Sequence, residues 1–266
     1  MVWERIDPPP TVPSLENYTP EYAKRFTSIC ITHLIMHRQN WIKKKMEELG
    51  IRTARDAIEF GIREVDYPFY MGQPDDLHTV NFYHGKNCWK ITEDYWDTCY
   101  EVMMEVVLCR RTGCRPLADC DGSSIFITGM LRILDVPAYE IFGAVYKGNK
   151  LLGGHAYTIT KLEDNKWHLI ETTLDTPPSY PDGYPTVNPN ENRWSVGDLV
   201  YEGWIKFNEK EYWEWKSSSE NMLEKYAKMK LKEKETYGKH RAIEEAYRIR
   251  SKALKHRKLL GRLRWR

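Results

Sequence analysis

The chain has 266 residues, 41% hydrophobic and 13% aromatic, with a formal net charge of +2. That length and apolar content provide for a buried core and exclude an intrinsically disordered chain. No apolar run approaches the roughly 18 residues a membrane-crossing helix needs, so no membrane contact is expected. Met1 is followed by Trp, Glu and Arg rather than a hydrophobic signal core, and the expectation is a cytoplasmic protein. The charge is uneven: residues 220–266 carry 16 Lys and Arg against 6 Glu, leaving 24 basic and 32 acidic residues elsewhere.

Residues 1–20, with Pro8, Pro9, Pro10 and Pro13, read as an extended arm without regular structure. A domain over 21–207 follows. It opens on a helix from about Glu21 to Leu49, in which Phe26, Ile29, Cys30, His33, Leu34, His37 and Trp41 recur at helical spacing and Gly50 is the stop. Thr53 and Asp56 propose a capped start for a short helix ending near Gly61. Residues 63–90, rich in Tyr, Pro, Asp and Gly, read as irregular, and Thr92 opens a helix to about Arg111 that ends before Gly113.

The stretch Arg115–Leu134, R-P-L-A-D-C-D-G-S-S-I-F-I-T-G-M-L-R-I-L, is the centre of the chain. From Ile125 to Leu134 it is apolar on nearly every face, which places the helix inside a domain. Asp119 and Asp121 suit its N-terminus, and Gly122, Ser123 and Ser124 are small enough for a neighbour to approach. Cys120 therefore sits at the positive end of a buried helix, a place that favours the nucleophilic thiolate.

A nucleophile needs a base and a group to orient it. Downstream, Ala138–Tyr146 reads as a strand, Lys147-Gly-Asn-Lys150 as a tight turn, G-G-H-A-Y-T-I-T-K-L as a second strand with His155 at its start, and K-W-H-L-I-E-T-T as a third with Glu171 near its end. A hairpin pairing Lys161 with Asn165 sets His155 directly opposite Glu171 on one face. A two-residue turn at Asp164-Asn165 sends them to opposite faces, so the pairing requires an odd-length loop or a bulge, which a left-handed Asn165 supplies. In this register His168 points away from Glu171. The result is an α+β arrangement, helices first and an antiparallel meander second.

At these residues the sequence resembles the transglutaminase-like superfamily, which shares the core of papain-type cysteine proteases. The resemblance covers roughly Cys114–Thr173: the segment G-C-R-P-L-A-D-C-D-G-S-S, then L-R-I-L-D-V-P-A-Y-E, the H-A-Y-T-I strand, and W-H-L-I-E-T-T where the family has W-x-x-x-D-P-T. It implies Cys120 as nucleophile, His155 as general base and then acid, and Glu171 as the orienting carboxylate. It departs from the pattern at Asp135 for the usual glycine, Tyr139 for arginine, and Glu171-Thr172-Thr173 for Asp-Pro-Thr.

Residues 174–198, with five prolines, read as a lid or binding loop in which Tyr180, Tyr184 and Trp194 line a cleft or cover core. From about 208 the composition turns to Lys, Arg and Glu with spaced apolar residues, a basic helical extension over 208–266 broken near Gly238. Its strongly basic part, 239–266, is read either as a contact for nucleic acid or another acidic partner, steeply weakened by salt, or as a helix packed on the domain or another subunit. Six cysteines without a C-x2-C pair argue for reduced thiols rather than a zinc site, with a Cys109–Cys114 bridge as the redox alternative. An EF-hand starting at Asp119 has Met130 where an acid is needed, and the Gly143–Gly148 spacing of a phosphate loop has Asn149 in place of Lys. Neither cofactor nor metal is called for.

The reaction expected is acyl transfer on a protein or peptide amide by a Cys-His-Glu triad. The Cys120 N–H supplies one oxyanion donor, and Trp89, Asn87 and Gln39 are candidates for the second. Hydrolysis by a peptidase or amidase is favoured over transamidation, which demands a water-excluding acceptor tunnel that no motif announces. The alternative is a catalytically inactive domain serving as an assembly or binding module, with an occluded Cys120 or a displaced His155.

Overall fold

The computed structural model describes residues 2–12, 30–68, 77–79, 89–91, 96–113, 115–216, 221–232 and 237–263. In chain order its elements are β1 (Trp3–Arg5), α1 (His33–Met36), α2 (Gln39–Glu48), α3 (Ala54–Glu64), β2 (Leu77–Thr79), β3 (Trp89–Ile91), α4 (Cys99–Thr112) and α5 (Cys120–Ile133). Then come β4 (Ala138–Lys147), β5 (Lys150–Lys161), β6 (Trp167–Ile170), β7 (Thr186–Val187), β8 (Arg193–Val196), β9 (Leu199–Phe207), β10 (Tyr212–Trp215), α6 (Met222–Lys232) and α7 (Tyr237–Leu263). No helix among the described residues is long and apolar enough to cross a membrane.

The uniformly apolar α5 is the hub. Every residue from Cys120 to Leu131 is buried, with α1 to α4 on one side and β4 and β5 on the other. Close approach on the helical side depends on Gly129: a Cβ there would stand 2.4 Å from Cys99 Sγ and 2.8 Å from the Ile35 carbonyl. Gly129→Ala is accordingly expected to cost about 1–3 kcal/mol in urea denaturation, because the neighbours must shift to admit it.

The main sheet runs β1-β10-β9-β4-β5-β6-β7, with β8 paired to β9. All its pairings are antiparallel. The expected meander is β4-β5-β6, and its first turn forms as read: Lys147 pairs with Lys150 and Gly148 takes φ 59°. The second turn is odd-length, with Asn165 left-handed at φ 64°, but it is closed by Lys161 and Trp167 rather than Lys161 and Asn165. The register therefore slips by two residues, which preserves the facing of every side chain.

The sheet is larger than the meander. β7 and β8 lie inside 174–198, expected to be loop, and β10 lies beyond residue 208, where the composition changes without ending the sheet. The N-terminal arm contributes an edge strand, Trp3–Arg5, on β10.

Two helix expectations need correction. The helix ending at Leu49 is interrupted in its described part, because Arg38 takes a left-handed φ of 54° and so breaks the helical hydrogen-bond ladder between α1 and α2. The Arg38 guanidinium is held by the Tyr100 hydroxyl at 2.9 Å and lies 4.8 Å from that ring's centre. Of the helix placed from Thr92, residues 92–95 lie outside the described residues, and the helix that is described begins at Cys99, where Thr98 and Glu101 form a capping box; Gly113, at φ 75°, ends it. The box of Thr53 and Asp56 forms as read, and its helix runs on to Glu64. In place of wholly irregular chain, residues 77–79 and 89–91 pair as a small antiparallel ladder. Past residue 208 the described helices are α6, which ends at Lys232, and α7, which starts at Tyr237, two helices on either side of the break expected near Gly238.

Candidate functional site

The loop before Cys120 is pinned to the end of α3. Asp66 N–H donates to the Pro116 carbonyl at 2.8 Å and Ala118 N–H to the Asp66 carbonyl at 3.2 Å, and Arg115 pairs with the Asp66 carboxylate. Asp119 is the N-cap of α5: its carboxylate accepts the N–H groups of Asp121 and Gly122, both at 3.2 Å. Cys120 is the first residue of the helix, with none of its surface exposed. The helix-terminal partial charge there and the Asp119 and Asp121 carboxylates, whose ligand atoms lie within 4.8 Å of its sulfur, act on it in opposite senses. Burial pushes the equally enclosed Cys99 thiol well above its ordinary value. Cys109 is also buried, while Cys88 and Cys114 fall outside the described residues.

His155 follows a β-bulge. The β4–β5 register shifts between Val145 and Tyr146, leaving Leu152 unmatched, and Gly153 takes φ 153° two residues before the histidine. Glu171 comes from the chain just past β6. With Tyr157 opposite its position, it reaches His155 diagonally rather than from directly across. The imidazole Nε2 lies 2.9 Å from Glu171 Oε2 and 3.1 Å from Oε1, and both side chains are fully buried. The extra methylene of Glu relative to Asp spans that diagonal.

The carboxylate is saturated. It also accepts the Tyr201 hydroxyl at 2.7 Å, the Thr173 hydroxyl at 2.8 Å and the Thr173 N–H at 3.1 Å. Burial raises its pKa, but the electrostatic influence and hydrogen bond of His155, together with the hydrogen bonds of Tyr201 and Thr173, prevail and hold it at about 2. A carboxylate only accepts, so His155 Nε2 carries the hydrogen. Nδ1 is then the basic atom of the neutral ring. It is buried and has no hydrogen-bond partner among the described residues.

Two sets of contacts tie the elements around this pair to α5 and to the segment that pins the loop before it. In one, the Thr158 hydroxyl on β5 donates to the Ser124 carbonyl at 3.2 Å, one helical turn from Cys120. In the other, Tyr67, next to the pinned Asp66, has its hydroxyl 2.6 Å from His240 Nε2, and the His240 ring centre is 5.9 Å from that of His155. The adjacent Lys239, 1% exposed, donates from Nζ to the Gly154 carbonyl at 2.7 Å. The first turns of α7 are therefore packed over the histidine, with Ile243, Ala246 and Tyr247 also buried, while Arg248, Ile249, Lys252 and Lys255 are exposed.

Sequence reasoning missed Tyr201, Tyr67, Lys239 and His240. For Lys239 and His240 the signal was misleading, since a basic helix reads as solvated. His168 lies on the other face, as expected, with its nitrogens against the Tyr184 carbonyl and Asp164, each at 3.1 Å. Of the oxyanion candidates, Gln39 is exposed at the start of α2, in a surface pocket with Met36, Arg38, Asn40 and Trp41. Trp89 lies on β3, and Asn87 falls outside the described residues. Asp119, Cys120 and Asp121 offer atoms within 4.8 Å of one another that could ligate a metal, but Asp119 is already engaged in capping the helix.

No family model matches the chain, and no curated protein matches it. Among solved structures it is similar to LapG of Legionella pneumophila, at 15% identity and a TM-score of 0.34, over 80% of this chain and 91% of that one. An EGTA-treated form of LapG gives 14% identity and a TM-score of 0.33 over the same shares.

Proposed function

We propose that the chain is a transglutaminase-like cysteine acyl-transfer enzyme, a peptidase or amidase acting on amide bonds through Cys120, His155 and Glu171. The observation that carries this reading is the His155–Glu171 pair: the carboxylate fixes the tautomer and leaves Nδ1 as an unused buried base. Cys120, on the helix tip, gives its proton to that base and attacks the amide carbonyl. The C–N bond breaks as His155 returns the proton to the departing amine, leaving a thioester on Cys120. Water, deprotonated by His155, then releases the acid and restores the thiol. The N–H of Cys120 is one donor to the oxyanion. The acyl donor is a peptide or protein, and water is the preferred acceptor.

The complete burial of Cys120, His155 and Glu171, with the first turns of α7 packed over the histidine, favours a second reading, the inactive binding module. Iodoacetamide labelling of the native protein near neutral pH, with peptide mapping, separates the two. The enzyme is expected to label first and selectively at Cys120. Slow, undiscriminating labelling of all six cysteines counts against it.

A further inference from the structure

Glu140 on β4 is fully buried and has no part in the triad. It faces α5, in contact with side chains one and two turns into the helix. Its Oε1 meets the Ser124 hydroxyl, and its Oε2 accepts the Thr128 hydroxyl at 3.0 Å. The Thr128 and Thr158 hydroxyls lie 2.9 Å apart, and Thr158 donates to the Ser124 carbonyl at 3.2 Å. The Ser124 hydroxyl also lies 2.7 Å from the carbonyl of Cys120 and 3.2 Å from that of Asp121.

A count of protons favours one state of this cluster. Each hydroxyl has one hydrogen, and a carbonyl or a carboxylate can only accept. With the Thr128 hydrogen on Glu140 and the Thr158 hydrogen on the Ser124 carbonyl, the contact between the two threonine hydroxyls is without a proton in either state. With Glu140 ionised, the Ser124 hydrogen serves either the Cys120 carbonyl or Glu140 Oε1, and a second close contact is left without a proton. With Glu140 protonated, the acid donates to Ser124 and Ser124 donates to Cys120, so this second gap closes. Among the described residues no cation forms an ion pair with Glu140, and an uncompensated buried charge is costly. Burial drives this carboxyl well above its ordinary range, although Ser124, Thr128 and the neighbouring charge of His155 pull the other way.

We propose that Glu140 is a neutral carboxylic acid that acts through Ser124 as a positioning residue for the first turn of the Cys120 helix. This deepens the reading of Cys120 as nucleophile and rests on it.

Glu140→Gln keeps a neutral donor and acceptor in place, and Glu140→Leu removes both. Each is compared with the wild type by thermal melting, by the rate of Cys120 alkylation, and by infrared absorption in the carboxylic-acid C=O region at neutral pH. The expected result is a protonated-carboxyl band in the wild type that is missing from Glu140→Gln, a wild-type alkylation rate in Glu140→Gln, and a rate lower by about 10- to 100-fold in Glu140→Leu through misplacement of the sulfur. If Glu140→Leu fails to fold, the Gln variant and the band still decide. The proposal is overturned if the wild type lacks the band, if Glu140→Gln retains it, or if Glu140→Gln loses as much rate as Glu140→Leu in a protein whose wild-type Cys120 is reactive. If wild-type Cys120 is not labelled selectively, the nucleophile reading fails, and the positioning role of Glu140 fails with it.

Discussion

Replacing His155 with Gln is expected to slow alkylation of Cys120 at neutral pH by about 100- to 10,000-fold, the range associated with loss of a positioned base. Gln rather than Ala is the informative choice, because its amide can still donate to Glu171 and so avoids stranding a buried carboxylate. The wild-type ring presents Nδ1 as a nitrogen without a hydrogen-bond partner among the described residues while Nε2 is committed to Glu171. The amide has no such base. Time-resolved peptide mapping should show the loss at Cys120 only, with slow labelling of the buried Cys99 unaltered. Equal Cys120 rates in His155→Gln and the wild type would remove His155 from the mechanism.

Glu171→Ala is expected to be the most destabilising single change in the site, by about 3–5 kcal/mol in urea denaturation, because several buried donors lose one common acceptor. The variant strands the His155 Nε2 hydrogen, the Tyr201 hydroxyl and both Thr173 donors. The effect is also pH-dependent. The carboxyl is lowered from 4.5 in the unfolded chain to about 2 when folded, so the folded protein releases this proton more readily. Its contribution is fully present above about pH 4.5 and is lost as the pH falls toward 2. The stability gap between wild type and Glu171→Ala should therefore narrow over that interval, and a gap that is constant with pH would show that the ionised carboxylate is not its source.

The parts of the site that were legible in the sequence were those set by short-range rules. The all-round apolar pattern of α5 placed it in the interior, Asp119 marked its cap, and the parity of the β5–β6 hairpin put His155 and Glu171 on one face. Parity survived a register slip of two residues because side-chain facing repeats every second residue. The left-handed Asn165 was readable because asparagine tolerates that conformation, and Asp135, where the resembled family has glycine, likewise takes φ 59°.

What was illegible depends on distant partners. The break at Arg38 has no local helix breaker, and the Tyr100 that holds its guanidinium is 62 residues away. Strands β7, β8 and β10 are two to four residues long, too short for their pattern to stand out, and the pairing of β9 with β4 joins segments far apart in the chain. The burial of Lys239 and His240 is likewise a tertiary fact, fixed by the Gly154 carbonyl 85 residues before Lys239 and by Tyr67 173 residues before His240.

That the Cys120 sulfur and the His155 ring function as one unit is tested most directly by the pH dependence of Cys120 labelling. An unassisted thiol reacts in proportion to its thiolate, so its rate falls tenfold for each unit below about pH 8.5. The wild-type rate is expected to stay level down to about pH 6 before falling, with the unassisted slope appearing in His155→Gln. A wild-type profile that falls tenfold per unit from about pH 8.5 and coincides with that of the variant would contradict it.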